Sequence, residues 1–242
     1  MKLFKEGYLK WSLLGLVIIM LLSGCVLGNP PTEEAQTIQR PEDKIEIIEV
    51  DNIILFASRE TDGVYEEITV QVDDKNKTFP WVSTTNPTYA PTIDMVDVDD
   101  DTVDEVVILL ITDHGTGVLQ QKIHVLKLED LTEIDVENPV EAINKKVTST
   151  ITKNDGKVNA VIKWDENILE KDFNESDAGF WFDEVAFGAH VFYEIVGSKI
   201  NATVSGAVSP ARFPVTAIVE YDSDLRIESI VVEEGYTDEI DD

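Results

Sequence analysis

Cysteine is nearly absent: Cys25 is the one thiol in 242 residues, so no intramolecular disulfide can staple the chain. Histidine is almost as scarce. His114, His124 and His190 are the three present, with no H-E-x-x-H pair and no other zinc spacing. Neither a G-x-S-x-G nucleophile elbow nor a glycine-rich phosphate loop occurs. Positive charge is also in short supply, with 19 Lys and Arg against 48 Asp and Glu, a formal charge of −29. Such a surface repels nucleic acid and anionic lipid head groups, and it attracts multivalent cations and basic partners. In so acidic a chain, carboxylate pairs arise everywhere and carry no information about glycosidase-type chemistry.

A membrane-spanning apolar run is missing too. The stretch Trp11 to Leu22 falls short of the roughly 20 residues that a spanning helix needs. It follows Lys2, Lys5 and Lys10 and closes on Leu22-Ser23-Gly24-Cys25, which together are the parts of an export signal over residues 1–24. Leu-Ser-Gly-Cys resembles the lipobox of bacterial lipoproteins. That resemblance implies cleavage before Cys25, a diacylglycerol on its thiol, and a place on the extracytoplasmic face of the cell membrane. Two acyl chains together anchor a protein stably, where one would not. Losing residues 1–24 removes three lysines and one glutamate, so the remaining chain is more acidic still. Residues 25–44 are expected to be a disordered tether, because from Gly28 to Lys44 the chain has Pro30, Pro31 and Pro41 and almost nothing apolar.

From Ile45 onward the pattern is mainly β. Ile68, Val70 and Val72 alternate with Thr69 and Gln71, and Val158, Ala160, Ile162 and Trp164 alternate with polar residues. Gly197-Ser198 and Asp222-Ser223-Asp224 sit between strand-like runs and predict hairpins. Asn138 as cap, Pro139 in the first turn and Glu141 near the N-terminus predict a short helix carrying Val140, Ile143 and Val147 on one face. The expected fold is therefore antiparallel and β-rich, with propeller-blade-like hairpins. Residues 45–137 form a first module, 138–150 a connecting helix, 151–235 a second module and 236–242 an acidic tail. One larger β domain is equally compatible with this length.

The most distinctive stretch is Asp97-Val98-Asp99-Asp100-Asp101-Thr102-Val103-Asp104-Glu105, which runs straight into Val106-Val107-Ile108-Leu109-Leu110-Ile111. Counted from Asp97, carboxylates stand at positions 1, 3, 5 and 9, and Val103 at position 7 can offer its carbonyl. Calcium takes six to eight such oxygens. Position 12 of an EF-hand would be acidic, whereas here it is Ile108 inside the apolar run. The spacing instead resembles the D-x-D-x-D-x-x-x-[DE] loop of FG-GAP/VCBS-type repeats, in which a calcium loop leads directly into a strand. The stretch from Phe79 to Val147 is similar to secreted or lipid-anchored proteins of Bacillus-like bacteria carrying one such repeat. The resemblance implies a structural calcium ion held by Asp97, Asp99, Asp101, Val103 and Glu105. Asp100 and Thr102 depart from the pattern, which has glycine at both places. A solvated turn is the competing reading.

Two further clusters have bland explanations. Asp113-His114-Gly115-Thr116-Gly117 fits a hairpin turn better than a catalytic fragment. Phe180, Trp181 and Phe182 fit core packing or a strand edge better than a ligand ledge. The residues favour a lipid-anchored extracytoplasmic binding or envelope-associated protein, without catalysis, whose partners are the membrane and a basic or cell-envelope component. An unrecognised cell-surface hydrolase and a purely structural acidic lipoprotein are the alternatives. The lipidation reading has a direct test. Cys25→Ser should abolish metabolic labelling with a fatty acid, and a mutant labelled as strongly as wild type would refute it.

Overall fold

The computed structural model describes residues 43–235, which are mainly β with one short α-helix. The export signal, Cys25, the tether as far as residue 42 and the acidic tail 236–242 lie outside the described residues. Among the described residues, no helix is long and apolar enough to cross a membrane.

The first sheet is an antiparallel meander of β1 (Ile45–Val50), β2 (Ile53–Thr61), β3 (Val64–Val72) and β4 (Lys75–Thr78), with β5 (Val82–Thr84) also paired to β3. Asp62 and Gly63 join β2 to β3 with φ of 50° and 80°, the double left-handed turn that matches the twist of a hairpin. Residues 73–77 divide between a turn and a strand. Asp73 and Asp74 make the turn, and the chain is already extended at Lys75, where the ladder to Val72 begins.

Next come β6 (Thr92–Val96), β7 (Glu105–Gly115), β8 (Val118–Lys127) and the two-residue β9 (Glu133–Ile134). β7 lies between β6 and β8 and is buried on both faces, which explains its unbroken apolar sequence. Val106, Ile108 and Leu110 pack into one core with Leu55, Ile68 and Val70 of the first sheet. Val107 and Leu109 point the opposite way into a second core with Ile143, Ile162, Val204 and Val219. Phe79, Trp81 and His124 form a face-to-face stack under the first core, with centroid separations of 4.0 and 3.8 Å. Burial holds His124 below its ordinary pKa, although its Nδ1 lies 2.7 Å from Glu133 Oε1.

Helix α1 (Pro139–Lys146) starts where its cap predicts, with Asn138 Oδ1 accepting from the N–H groups of Val140 and Glu141 at 3.0 and 3.1 Å. It stops four residues before the expected end at residue 150. Val147 opens β10 (Val147–Asn154) instead, because Val-Thr-Ser-Thr-Ile-Thr is rich in β-branched residues that fit a pleated strand better than a helix. β10, β11 (Lys157–Trp164) and β12 (Asn167–Asn174) form a three-stranded antiparallel sheet.

The remaining strands, β13 (Ala186–Val196), β14 (Lys199–Ala207), β15 (Val215–Tyr221) and β16 (Ile227–Glu234), join β6 to β8 in a single eight-stranded sheet ordered β16-β15-β14-β13-β8-β7-β6, with β9 on β8. Strands from both sides of α1 thus share one sheet. Its one parallel joint, β8 to β13, has only the pairs His190↔Leu119 and Val191↔Gln120. Side-chain amides supplement that short ladder. Gln120 donates to the carbonyls of Gly188 and Ala189, and Gln121 Oε1 accepts from the Tyr193 N–H.

Packing beside this joint leaves no spare room. A Cβ on Gly206 of β14 would lie 2.5 Å from Val215 Cγ2, 2.7 Å from Phe187 Cε1 and 2.8 Å from Val185 Cγ1. Gly206→Ala should therefore cost about 1–3 kcal/mol of stability through overpacking. Urea denaturation measures this, and an unchanged midpoint would show that the three side chains yield freely.

Candidate metal centre

The acidic stretch forms the loop from β6 to β7, and its backbone is organised by its own carboxylates. Asp97 Oδ1 accepts the Asp101 N–H at 3.2 Å and Asp97 Oδ2 accepts the Thr102 N–H at 3.0 Å. Asp99 Oδ1 also accepts from the Asp101 N–H, at 3.2 Å, and Asp101 Oδ1 accepts from the Val103 N–H at 2.8 Å. Short polar side chains that bond the backbone two residues on are the usual builders of such turns.

Glu105 closes the arrangement from below. As the first residue of β7, paired to Val96 and Lys127, it faces the core and is only 2% exposed. Its Oε2 accepts the N–H of Val98, itself buried, at 3.0 Å. Burial raises the pKa of this carboxyl, the Val98 N–H opposes that rise, and the charges on Asp99 and Asp101 add to it. A carboxylate whose folded pKa is raised favours the fold while protonated, and that contribution is lost as pH rises through the folded pKa. Above that pH the ionised side chain is a desolvated anion held by backbone donors alone.

One oxygen each from Asp97, Asp99 and Glu105 lies within 4.8 Å of the others, and this group could hold a metal ion. Two oxygens on opposite sides of one calcium stand about 5 Å apart, so a single ion can touch all three. An all-oxygen, all-carboxylate donor set suits a hard cation rather than a soft one. The half-buried Asp97 and Asp99 open the site toward solvent, while Glu105 forms its floor.

Asp101 is not among the three clustered carboxylates. Its side chain is occupied with the Val103 N–H, and Val103, expected to contribute its carbonyl, is 52% exposed. The two positions that depart from glycine are informative. Asp100 and Thr102 have φ of 62° and 74°, the left-handed region that glycine enters without cost. The chain takes the glycine-type conformation there with side chains in place.

The other sequence clusters resolve as follows. Asp113 to Gly117 form the tip of the β7–β8 hairpin, with Gly117 at φ 77°. His114 lies 2.9 Å from Thr84 Oγ1 and its ring lies 4.8 Å from that of Tyr89. Trp181 is buried and donates its Nε1–H to the Glu175 carbonyl at 3.0 Å, whereas Phe180 is 61% exposed. One polar pair escapes sequence reading altogether. Ser205 Oγ lies 3.0 Å from His190 Nδ1, but the same oxygen accepts the His190 backbone N–H at 3.2 Å. That double contact fills the bulge between Phe187 and Val191, where β13 slips against β14. No protein-family model matches the chain, and no curated protein or solved structure matches it either.

The loop strain can be measured. A β-branched residue in the left-handed region costs roughly 1–2 kcal/mol, and the extra chain entropy of glycine offsets about half of that. Thr102→Gly should therefore stabilise the protein by about 0.5–1 kcal/mol, read as a raised melting temperature. A lowered one would mean that the threonine side chain makes up for its backbone conformation.

Proposed function

We propose that this protein is a lipid-anchored extracytoplasmic binding or envelope-associated module whose β6–β7 loop holds a structural calcium ion. The observation that carries the metal half is the buried Glu105 carboxylate beneath Asp97 and Asp99, their oxygens within one coordination sphere. An ion there neutralises charges that otherwise repel one another at the mouth of a strand buried on both faces. The Leu22-Ser23-Gly24-Cys25 motif and the strongly acidic composition support the address and the absence of a nucleic-acid partner. The resemblance of the loop spacing to FG-GAP/VCBS-type repeats supports calcium over other hard cations. Magnesium prefers a stricter octahedron and keeps its waters, so it fits a carboxylate cage of this kind less well.

Extracellular calcium modules bind with dissociation constants on the order of 0.1–1 mM, which suits a constitutively filled structural site rather than a sensor. Calcium at a hundred times its dissociation constant should stabilise the native state by about 2.7 kcal/mol. The measurement is the calcium-induced shift in melting temperature at constant ionic strength. Asp97→Asn/Asp99→Asn should lose most of the shift, because it removes two of the three clustered carboxylates. In wild type the shift should shrink as pH falls through the raised pKa of Glu105, since protons and calcium compete for its carboxylate. Equal shifts in wild type and double mutant would reduce the effect to general screening by salt.

A further inference from the structure

Away from the acidic loop, a cleft of about 790 Å³ lies between two walls. Phe173 at the end of β12 and residues 177–180 form one wall; residues 209–214, in the connection from β14 to β15, form the other. That volume falls within the range of roughly 300–1,000 Å³ usual for small-ligand sites. The backbone ties the walls together, since the Phe182 N–H donates to the Val208 carbonyl at 3.0 Å. The second wall also closes on itself, the Val208 N–H donating to the Arg212 carbonyl at 3.0 Å and the Arg212 N–H to the Ser209 carbonyl at 3.2 Å. Each phenylalanine of the lining packs on a ring that is not part of it. Phe173 meets Trp181 at 5.3 Å between centroids, Phe180 meets Phe182 at 5.7 Å, and Phe213 meets His190 at 4.5 Å. The apolar surface is therefore formed before any ligand arrives, with Phe180 left exposed.

Arg212 is the anomaly of the lining. Three arginines lie among the described residues of a chain that has 48 acidic residues and 19 Lys and Arg. Arg59 pairs with Glu66 and Glu67, and Arg226 pairs with Asp135. Arg212 has no carboxylate partner among the described residues. Its Nε donates to the Asp177 carbonyl at 2.8 Å, so the guanidinium bridges the two walls and both terminal nitrogens are left without an acceptor there. The Asp177 carboxylate does not pair with it; its Oδ2 accepts the Asn174 N–H at 2.9 Å instead. In so acidic a chain, an unpaired guanidinium among phenylalanines is a place for an anion from outside.

We propose that this cleft binds an apolar ligand bearing a single carboxylate. The carboxylate lies on the terminal nitrogens of Arg212, and the apolar body lies against Phe173, Phe180 and Phe213. A planar guanidinium matches a planar carboxylate through two parallel N–H···O bonds. One cation suits a monoanion: among the described residues no second Lys or Arg lines the cleft, and the acidity of the whole chain disfavours a dianion such as a phosphate monoester. A free acid and the C-terminus of a peptide with an apolar last residue present this same group. The inference deepens the binding reading above and rests on it. Calcium-dependent stabilisation and fatty-acid labelling test that reading by other measurements, so the two failures are told apart.

The test is titration of the full chain with N-acetyl-phenylalanine and with N-acetyl-phenylalaninamide, followed by backbone NMR shifts. The acid should give saturable shifts in residues 173–180 and 209–214. The amide should bind about tenfold more weakly, the loss expected when a hydrogen bond to a charged group is removed. Arg212→Gln should abolish the preference and bind both probes as weakly as wild type binds the amide. Phe180→Ala should weaken both probes several-fold and keep the preference. Both side chains are exposed, so both variants should melt with wild type. The peptide Ala-Ala-Phe with a free C-terminus separates the two sources: binding tighter than that of the acetylated amino acid assigns a peptide terminus, and equal or weaker binding a free acid. Equal affinity of wild type for acid and amide, a preference retained in Arg212→Gln, or shifts confined to other parts of the fold would each overturn the proposal. So would the absence of saturable binding by either probe.

Discussion

A strand buried on both faces has to begin somewhere, and β7 begins on a carboxylate. Everything around the acidic loop depends on that junction. The two cores are divided by β7, whose alternate residues feed one and then the other, so its first residue cannot move without disturbing both. Glu105 occupies that place at 2% exposure, its Oε2 accepting the Val98 N–H. A buried charge is tolerated only when it is paired, hydrogen-bonded or neutralised. Backbone donors are a partial answer, and the charges on Asp99 and Asp101 make the demand larger rather than smaller. A cation answers it completely, and a proton answers it in part.

The joint between β8 and β13 is the second constraint. Two parallel pairs are a thin connection for a sheet of eight strands, and parallel pairing is slightly the weaker kind. The side chain of Gln120 reaches the carbonyls of Gly188 and Ala189 in the bulge of β13, and that of Gln121 takes the Tyr193 N–H beyond it. Strands on the two sides of α1 are held in one sheet by these amides and by the shared second core. The helix fills that core with Ala142 and Ile143 as well as linking the strands on either side of it.

How much of this could be read from the residues varied with how local its cause was. β7 was plain because burial on both faces leaves an unbroken apolar run, and the acidic loop because period-two carboxylates precede it. β11 and β14 to β16 were legible from alternation or turn residues. β12 was not, since Asn-Ile-Leu-Glu-Lys-Asp-Phe-Asn packs only Leu169 and Phe173 against the core and otherwise faces water. β10 was absorbed into the helix because Val147 fits a helical face by spacing, while the β-branched residues after it decide for a strand. The Gln120–Gly188 contact, the Ser205–His190 pair and the exclusion of Asp101 from the carboxylate cluster depend on residues brought together by the fold. No pattern along the chain announces them.

The departure from glycine at Asp100 and Thr102 shows what a sequence pattern stands for. Glycine recurs in such loops because the backbone must turn left-handed there, and it does so without a Cβ penalty. What the loop requires is the conformation, and any residue that reaches it will serve if the surroundings hold it. Here the holding is done by carboxylates. Asp97 takes the amides of Asp101 and Thr102, Asp99 shares the first of these, and Asp101 takes that of Val103. Those bonds use some of the lone pairs on each carboxylate and leave others facing inward. The same side chains can therefore fold the loop and still offer oxygens to an ion. A loop that needed its carboxylates for only one of these tasks would have no reason to place two of them around a third that is buried.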